Sequence, residues 1–255
     1  MLVSAATRIA VAGLAALVAA QVVACGSGAK TASVPTATST ASSRPATATM
    51  PAASTTQRPR ARQREFAFEA GPLPASVRQR VTGSSWHEGC PTTLDELRYV
   101  EMSHWGFDGR VRKGVMIVNA TAVDAVRTAF GKLFDARFPI RRMHLVDDYD
   151  AEDFASIEAD NTSSFNCRTA TGETRWSEHA YGRAVDINPI ENPYVYADGS
   201  TTHPSSRPYL DRSSYRRGMA LEGRTLVGAF DAAGWEWGGR WSPATDLQHF
   251  SANGR

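Results

Sequence analysis

The chain has 255 residues, 42% of them hydrophobic, with 28 Lys and Arg against 26 Asp and Glu, a formal net charge of +2. So small a positive excess argues against a nucleic-acid partner. One apolar run opens the chain, and no later stretch is long and apolar enough to span a bilayer.

Met1–Arg8 reads as a short n-region with a single positive charge, and Ile9–Val23 as an apolar run rich in Ala, Val and Leu. Val22-Val23-Ala24-Cys25 then has the form of a bacterial lipobox, with small residues ahead of a cysteine to be lipidated. Residues 1–24 are therefore expected to be a lipoprotein signal peptide that is removed, leaving Cys25 as the lipid-bearing first residue. From Cys25 to residue 64 the chain is dominated by Ala, Ser, Thr and Pro, a composition that cannot bury a core. It is expected to be a disordered tether, with a mean reach of about 35 Å. Arg58, Arg60, Arg62 and Arg64 close it in a basic cluster suited to a wall or lipid surface. Ser27-Gly28-Ala29-Lys30 matches the Ser-x-x-Lys of serine-type penicillin-binding enzymes, but it sits in the tether with no helix to present it.

Residues 65–255 remain, enough for one domain with a hydrophobic core. Leu94–Met102 and Val115–Asn119 have strand character and are joined through a turn at Phe107-Asp108-Gly109. Val123, Val126, Phe130, Leu133 and Phe134 recur at helical spacing, which predicts a helix over Thr121–Ala136. Ile140–Val146 is expected as a strand, Phe154–Asn161 and Leu226–Ala233 as helices, and Leu247–Ser251 as the last strand. Strands and helices mix without regular βαβ alternation. The fold class expected is α+β, a single domain with a small, mainly antiparallel sheet flanked by helices.

Two clusters carry the chemistry. His179 and Asp186 lie seven positions apart with Gly182 between them, so their side chains converge only if the backbone turns, which Gly182 allows. Ala184-Val185-Asp186-Ile187 reads as a buried strand holding one carboxylate, and a buried Asp requires a positive partner. Near the C-terminal end, Asp246 and His249 supply another acid and imidazole. His179, Asp186 and His249 form a two-imidazole, one-carboxylate set suited to a single Zn²⁺ with an open position for water. Asp246 is then free to act on that water.

Ser177-Glu178-His179-Ala180-Tyr181-Gly182-Arg183-Ala184-Val185-Asp186-Ile187 resembles the Ser-x-His-x-x-Gly-x-Ala-x-Asp-[Ile/Leu] signature of D-alanyl-D-alanine carboxypeptidase-type zinc peptidases. That family includes the vancomycin-resistance carboxypeptidases and dipeptidases and the L-alanyl-D-glutamate peptidases of phage endolysins. Asp246-x-x-His249 resembles the second half of its motif, and the Asp is closer to the endolysin branch. The resemblance extends from about Leu94 to Ser251 and implies zinc in the cleft of a small sheet. It also implies that Arg168, just ahead of the His179 motif, binds the substrate and the developing oxyanion. A guanidinium suits that role because it stays charged and can make paired bonds to a carboxylate.

With Cys25 assigned to lipid, Cys90 and Cys167 are an even pair in an exported protein and are expected to form a disulfide. Such a bridge contributes on the order of 4 kcal/mol through the entropy of the unfolded chain. His87, His104, His144 and His203 lack partners at ligand spacing and are expected on the surface or hydrogen-bonded, with His104 the nearest to a cleft residue. Trp235, Trp237 and Trp241 are expected to pack in the core, one of them walling the groove. Glu178 neighbours a ligand but is expected to point away from it.

The expected activity is zinc-dependent hydrolysis of peptidoglycan stem peptides, either as a D-Ala-D-Ala carboxypeptidase or as a related endopeptidase. Catalysis is assigned to Asp246 and Arg168, and metal binding to His179, Asp186 and His249. The competing expectation is an inactive cell-wall-binding lipoprotein of the same fold. Either way, the chain is placed outside the bacterial cell membrane and touches it only through the lipid. A Cys25→Ser variant should lose lipidation and leave the membrane fraction; processing and fractionation identical to the parent would contradict the lipobox assignment.

Overall fold

A computed structural model describes residues 65–255. The signal peptide, lipidated Cys25 and tether expected from the sequence lie outside the described residues. The elements in chain order are β1 (Phe68–Pro72), α1 (Ala75–Val81), β2 (Leu97–Trp105), β3 (Val111–Asn119), α2 (Val123–Asp135), β4 (Arg142–Met143), α3 (Asp153–Glu158) and β5 (Asn161–Thr162). They continue with β6 (Ala184–Asp186), β7 (Tyr194–Val195), α4 (Thr225–Asp231), β8 (Glu236–Trp237), β9 (Thr245–Asp246) and β10 (His249–Ser251). The architecture is α+β. Among the described residues the strands form four small sheets in place of one, ordered β1-β2-β3, β6-β10-β8, β4-β5 and β7-β9, and of these strand pairings only β4-β5 is parallel. Among the described residues, no helix is long and apolar enough to cross a membrane.

The β2-β3 hairpin is the longest pairing, running from Leu97 opposite Asn119 to Trp105 opposite Val111. Its turn closes at Gly109, whose φ of 72° suits glycine. Alternate side chains face opposite sides of the sheet, and both sides are covered. Val100, Met102, Met116 and Val118 join the main core with α2 and α4. Leu97, Ile117 and their partly buried neighbours Tyr99 and Val115 pack with Val81, Leu145 and Phe165 in a second cluster. Burial on both faces explains why Val115-Met116-Ile117-Val118 reads as an unbroken apolar run.

β2 begins three residues later than the sequence suggests because Thr93 donates its backbone N–H and hydroxyl to Glu96 Oε2, each at 2.8 Å, forming a turn there. The expected strand over Ile140–Val146 shrinks to β4. There the Asn161 amide pairs with the backbone of His144, accepting from its N–H at 2.9 Å and donating to its carbonyl at 3.1 Å. A 3₁₀ turn over Val146–Tyr149 follows. The predicted helix from Phe154 likewise stops at Glu158, and the chain re-enters an extended path as β5. β1 and α1 had no clear counterpart in the sequence patterns.

The main core fixes the platform for the C-terminal cluster. Phe130 of α2 meets Phe230 of α4 edge-on, with centroids 6.1 Å apart. Phe230 in turn stacks on Phe250 of β10 at 4.2 Å. Trp237 lies nearly parallel to Phe250 and is buried, as is Trp235. β10 is thus bolted to the helical layer through the residue next to His249.

The hairpin meets the His179 motif at Gly182, whose carbonyl accepts from the Asn119 N–H at 2.8 Å. Gly182 has φ of 64°, and a Cβ there would lie 2.7 Å from the Asn119 nitrogen. Gly182→Ala should therefore lower stability by about 1–3 kcal/mol from backbone strain alone, with the contact adding to it. Urea unfolding of the two proteins measures this, and equal midpoints would contradict the requirement.

Candidate metal centre and cleft

His179 arrives on a 3₁₀ turn, Glu178–Tyr181, that Ser177 opens by accepting the His179 N–H at 3.3 Å and Gly182 closes. Asp186 ends β6, and His249 begins β10 directly opposite it in an antiparallel register. Opposed residues of such a pair project to the same face. All three side chains are buried. His179 Nε2 lies 3.2 Å from Asp186 Oδ2, and His249 Nδ1 lies 3.2 Å from Asp186 Oδ1. The two ring nitrogens are themselves 3.2 Å apart.

The outward nitrogens decide what these inward atoms are. His179 Nδ1 donates to the Ser164 carbonyl at 2.6 Å. His249 Nε2 donates to the backbone oxygen of Arg255 at 2.8 Å. A backbone oxygen of this kind can only accept, so each outward nitrogen carries a proton, and each inward nitrogen presents a lone pair when its imidazole is neutral. Two lone pairs and a carboxylate then face one another with no donor between them. A divalent cation satisfies all three, and two imidazoles with one carboxylate are a donor set that fits zinc. A proton is the substitute when no cation is bound. Burial opposes a charge on His249, but the hydrogen bond and charge of Asp186 outweigh it and raise the His249 pKa above its ordinary value. Asp186 is correspondingly held below the usual carboxylate range: burial pushes the other way, and the His179 charge overcomes it.

The frame behind the centre is mostly backbone. Ser163 and Asp186 exchange N–H···O bonds of 3.1 and 2.9 Å. Ser164 Oγ donates to the Ala184 carbonyl at 2.7 Å, and the Asn166 N–H donates to the His179 carbonyl at 3.2 Å. The next residue, Cys167, is joined to Cys90, as expected from the sequence, with Cα atoms 5.9 Å apart. His87 lies close enough to both sulfurs to suggest a second ligand group, but those sulfurs are already spent on each other.

Arg168 follows the disulfide and lines the same cleft as His179, Asp246 and His249. Its guanidinium pairs with Asp153 at 3.0 Å, while its Nε is buried without a partner. Asp246, on β9, stands opposite Tyr194 of β7, which also lines the cleft. Asp246 is only partly buried as a residue, yet its Oδ1 is shielded from solvent and bonded to nothing. Burial first, and then the Asp186 charge, push its carboxyl up to about 7; His249 and Arg168 pull the other way. The expected strand over Leu247–Ser251 shortens to β10, and Asp246 lies on a separate strand before it, because the chain changes partners here. β9 pairs with β7, and β10 with β6 and β8. That switch presents Asp246 and His249 to one cleft from two different sheets.

His104 does not belong to this cleft. It is buried beside a separate depression with Phe107, Arg112, Arg141 and His144, and burial lowers its pKa to about 4. Its place on the hairpin, near the far end from Asn119, explains the separation. His203 is buried against Phe154 and bonds Glu158 at 2.6 Å, whereas His87 and His144 are exposed. Of the three tryptophans, Trp241 walls the groove. Glu178 borders the cleft but is engaged by Asn253, whose Nδ2 donates to its Oε1 at 2.8 Å. Tyr194, Arg175 and Arg255 also line the cleft; no motif or spacing in the sequence marked them.

Residues 171–252 match the peptidase M15 family model, described as D-alanyl-D-alanine carboxypeptidase. The match spans about a third of the chain. It takes in His179, Asp186, Asp246 and His249 and begins after Arg168. No curated protein and no solved structure matches the chain.

A pH-dependent consequence attaches to Asp246. With its folded pKa above the ordinary carboxylate value, the metal-free folded state binds a proton more readily than the unfolded state. The stability contributed by that proton is present below about pH 4 and is lost as pH rises through about 7. Asp246→Asn removes the loss. At pH 8 the metal-free variant should be more stable than the metal-free parent by about 1–3 kcal/mol, the cost of an unpaired buried group. Thermal melts at pH 8 and pH 4 test this: the gap should close at the lower pH, and a variant less stable at pH 8 would contradict it.

Proposed function

We propose that the protein is a zinc-dependent peptidase that hydrolyses an amide bond in peptidoglycan stem peptides. The observation carrying this reading is the inward convergence of His179 Nε2, Asp186 and His249 Nδ1, all as proton acceptors, beside an unpartnered Asp246 oxygen. The family match supports the substrate class. His179, Asp186 and His249 would hold one Zn²⁺ per chain. When bound, zinc supplies a Lewis acid for the scissile carbonyl and brings the pKa of water toward neutrality.

The protein's own residues account for the remaining work. Asp246 accepts the proton of the attacking water and returns it to the leaving amine. Its shielded, unpartnered Oδ1 suits a group that must take up a proton and then release it. Arg168 offers its guanidinium to a substrate carboxylate or to the oxyanion that develops at the carbonyl. Asp153 and the Cys90–Cys167 bridge keep that side chain in place. Trp241 and Tyr194 wall the groove. On the sequence evidence, the domain would work outside the cell membrane, tethered by lipid at Cys25 and by residues 25–64.

His249→Ala should lose both zinc and activity. Asp246→Asn keeps the shape and should retain close to one zinc per chain, while turnover falls by roughly 10²–10⁴, the usual worth of a positioned general base. Zinc counting beside mass analysis of fragments from digested peptidoglycan checks both variants and reports which bond is cut. Parental turnover in Asp246→Asn would contradict the assigned base. A parent that binds wall material but releases no fragment would make it the binding module.

A further inference from the structure

Residues 253–255 lie beyond the family match, which ends at residue 252, yet every one of them is tied to the metal centre or its cleft. The Asn253 amide donates to Glu178, one residue before the first histidine, at 2.8 Å. The Gly254 carbonyl accepts from Trp241 Nε1 at 2.8 Å, and Trp241 lies against the His249 ring with centroids 5.2 Å apart. The Arg255 N–H donates to Asn253 Oδ1 at 3.1 Å, and the Arg255 backbone oxygen accepts from His249 Nε2 at 2.8 Å. The path needs glycine at position 254, where φ is 76° and a Cβ would lie 2.7 Å from Glu236 Oε2.

An imidazole on a strand has two nitrogens, and which one binds a metal is set by what the other bonds. For His179 that partner is the Ser164 carbonyl, held within the backbone frame. For His249 it comes from this short segment after β10. We infer that Asn253–Arg255 is a positioning clamp: its backbone oxygen at Arg255 fixes the proton of His249 on Nε2 and turns Nδ1 inward as a ligand. This rests on the metal reading proposed above. The Arg255 side chain is not needed for the clamp; the backbone oxygen and the bonds from Trp241 and Asn253 are.

Three variants, each prepared with its disulfide intact, separate these parts. Deleting Asn253–Arg255 removes the clamp but leaves β10 and the buried Phe250 in place. Arg255→Ala keeps the backbone oxygen, and Trp241→Phe keeps the whole segment but drops the donor to Gly254. Zinc affinity is read by chelator competition, and the His249 tautomer by ¹⁵N NMR of the metal-free protein at a pH high enough for the ring to be neutral. The deletion should weaken zinc binding by about 10–100-fold, as loss of a ligand's outer partner generally does. It should also populate the Nδ1–H tautomer. Arg255→Ala should match the parent on both readouts, and Trp241→Phe should shift both in the direction of the deletion. A deletion with parental affinity and tautomer would overturn the clamp while leaving the metal centre intact. An Arg255→Ala variant as impaired as the deletion would overturn it by assigning the effect to the side chain. A parent that binds no zinc would overturn the metal reading and the clamp together.

Discussion

Two imidazole lone pairs and a carboxylate held 3.2 Å apart inside a protein repel one another unless a cation or a proton lies between them. The surroundings do not relieve this conflict; they enforce it. Each histidine is prevented from turning its N–H inward because a backbone oxygen holds that proton on the far side of the ring. Asp186 is pinned by reciprocal bonds from Ser163. A site built this way is preorganised for a positive charge, and the rest of the domain can be understood as what keeps it from relaxing.

That frame comes from several small sheets meeting at their edges. The β2-β3 hairpin, buried on both faces, reaches the His179 turn through Asn119 and Gly182. α2 and α4 reach β10 through the stacked Phe230 and Phe250. Segment 163–168 joins the two, with the Cys90–Cys167 bridge holding its far end and Arg168 beside it. None of these contacts is part of the chemistry. Each removes a motion that would let an inward nitrogen rotate away.

Much of the site was legible in the sequence, because metal chemistry demands particular residue types. Two imidazoles, a carboxylate and a second acid are a small set of candidates in a chain with six histidines. Gly182 signalled the turn because few other residues accept its backbone angle. The long apolar pattern of α2 was equally plain. Side chains that replace backbone partners were harder to read: Asn161 truncates β4 and Glu96 delays β2, and neither leaves a periodic trace. His104 was drawn toward the cleft by its chemistry alone, whereas its strand carries it elsewhere. Tyr194, Arg175 and Arg255 were invisible because they reach the cleft through loops and a two-stranded pairing, where position depends on the whole fold.

The proposed clamp at residues 253–255 and the frame at Ser164 have the same physical purpose, one for each histidine. The most direct test of the account is X-ray absorption at the zinc edge on protein purified without added metal chelator. The account predicts one zinc per chain in a shell of two imidazole nitrogens and oxygen donors, with no sulfur. A sulfur-containing shell, or protein that is folded and active with no bound metal, would contradict it.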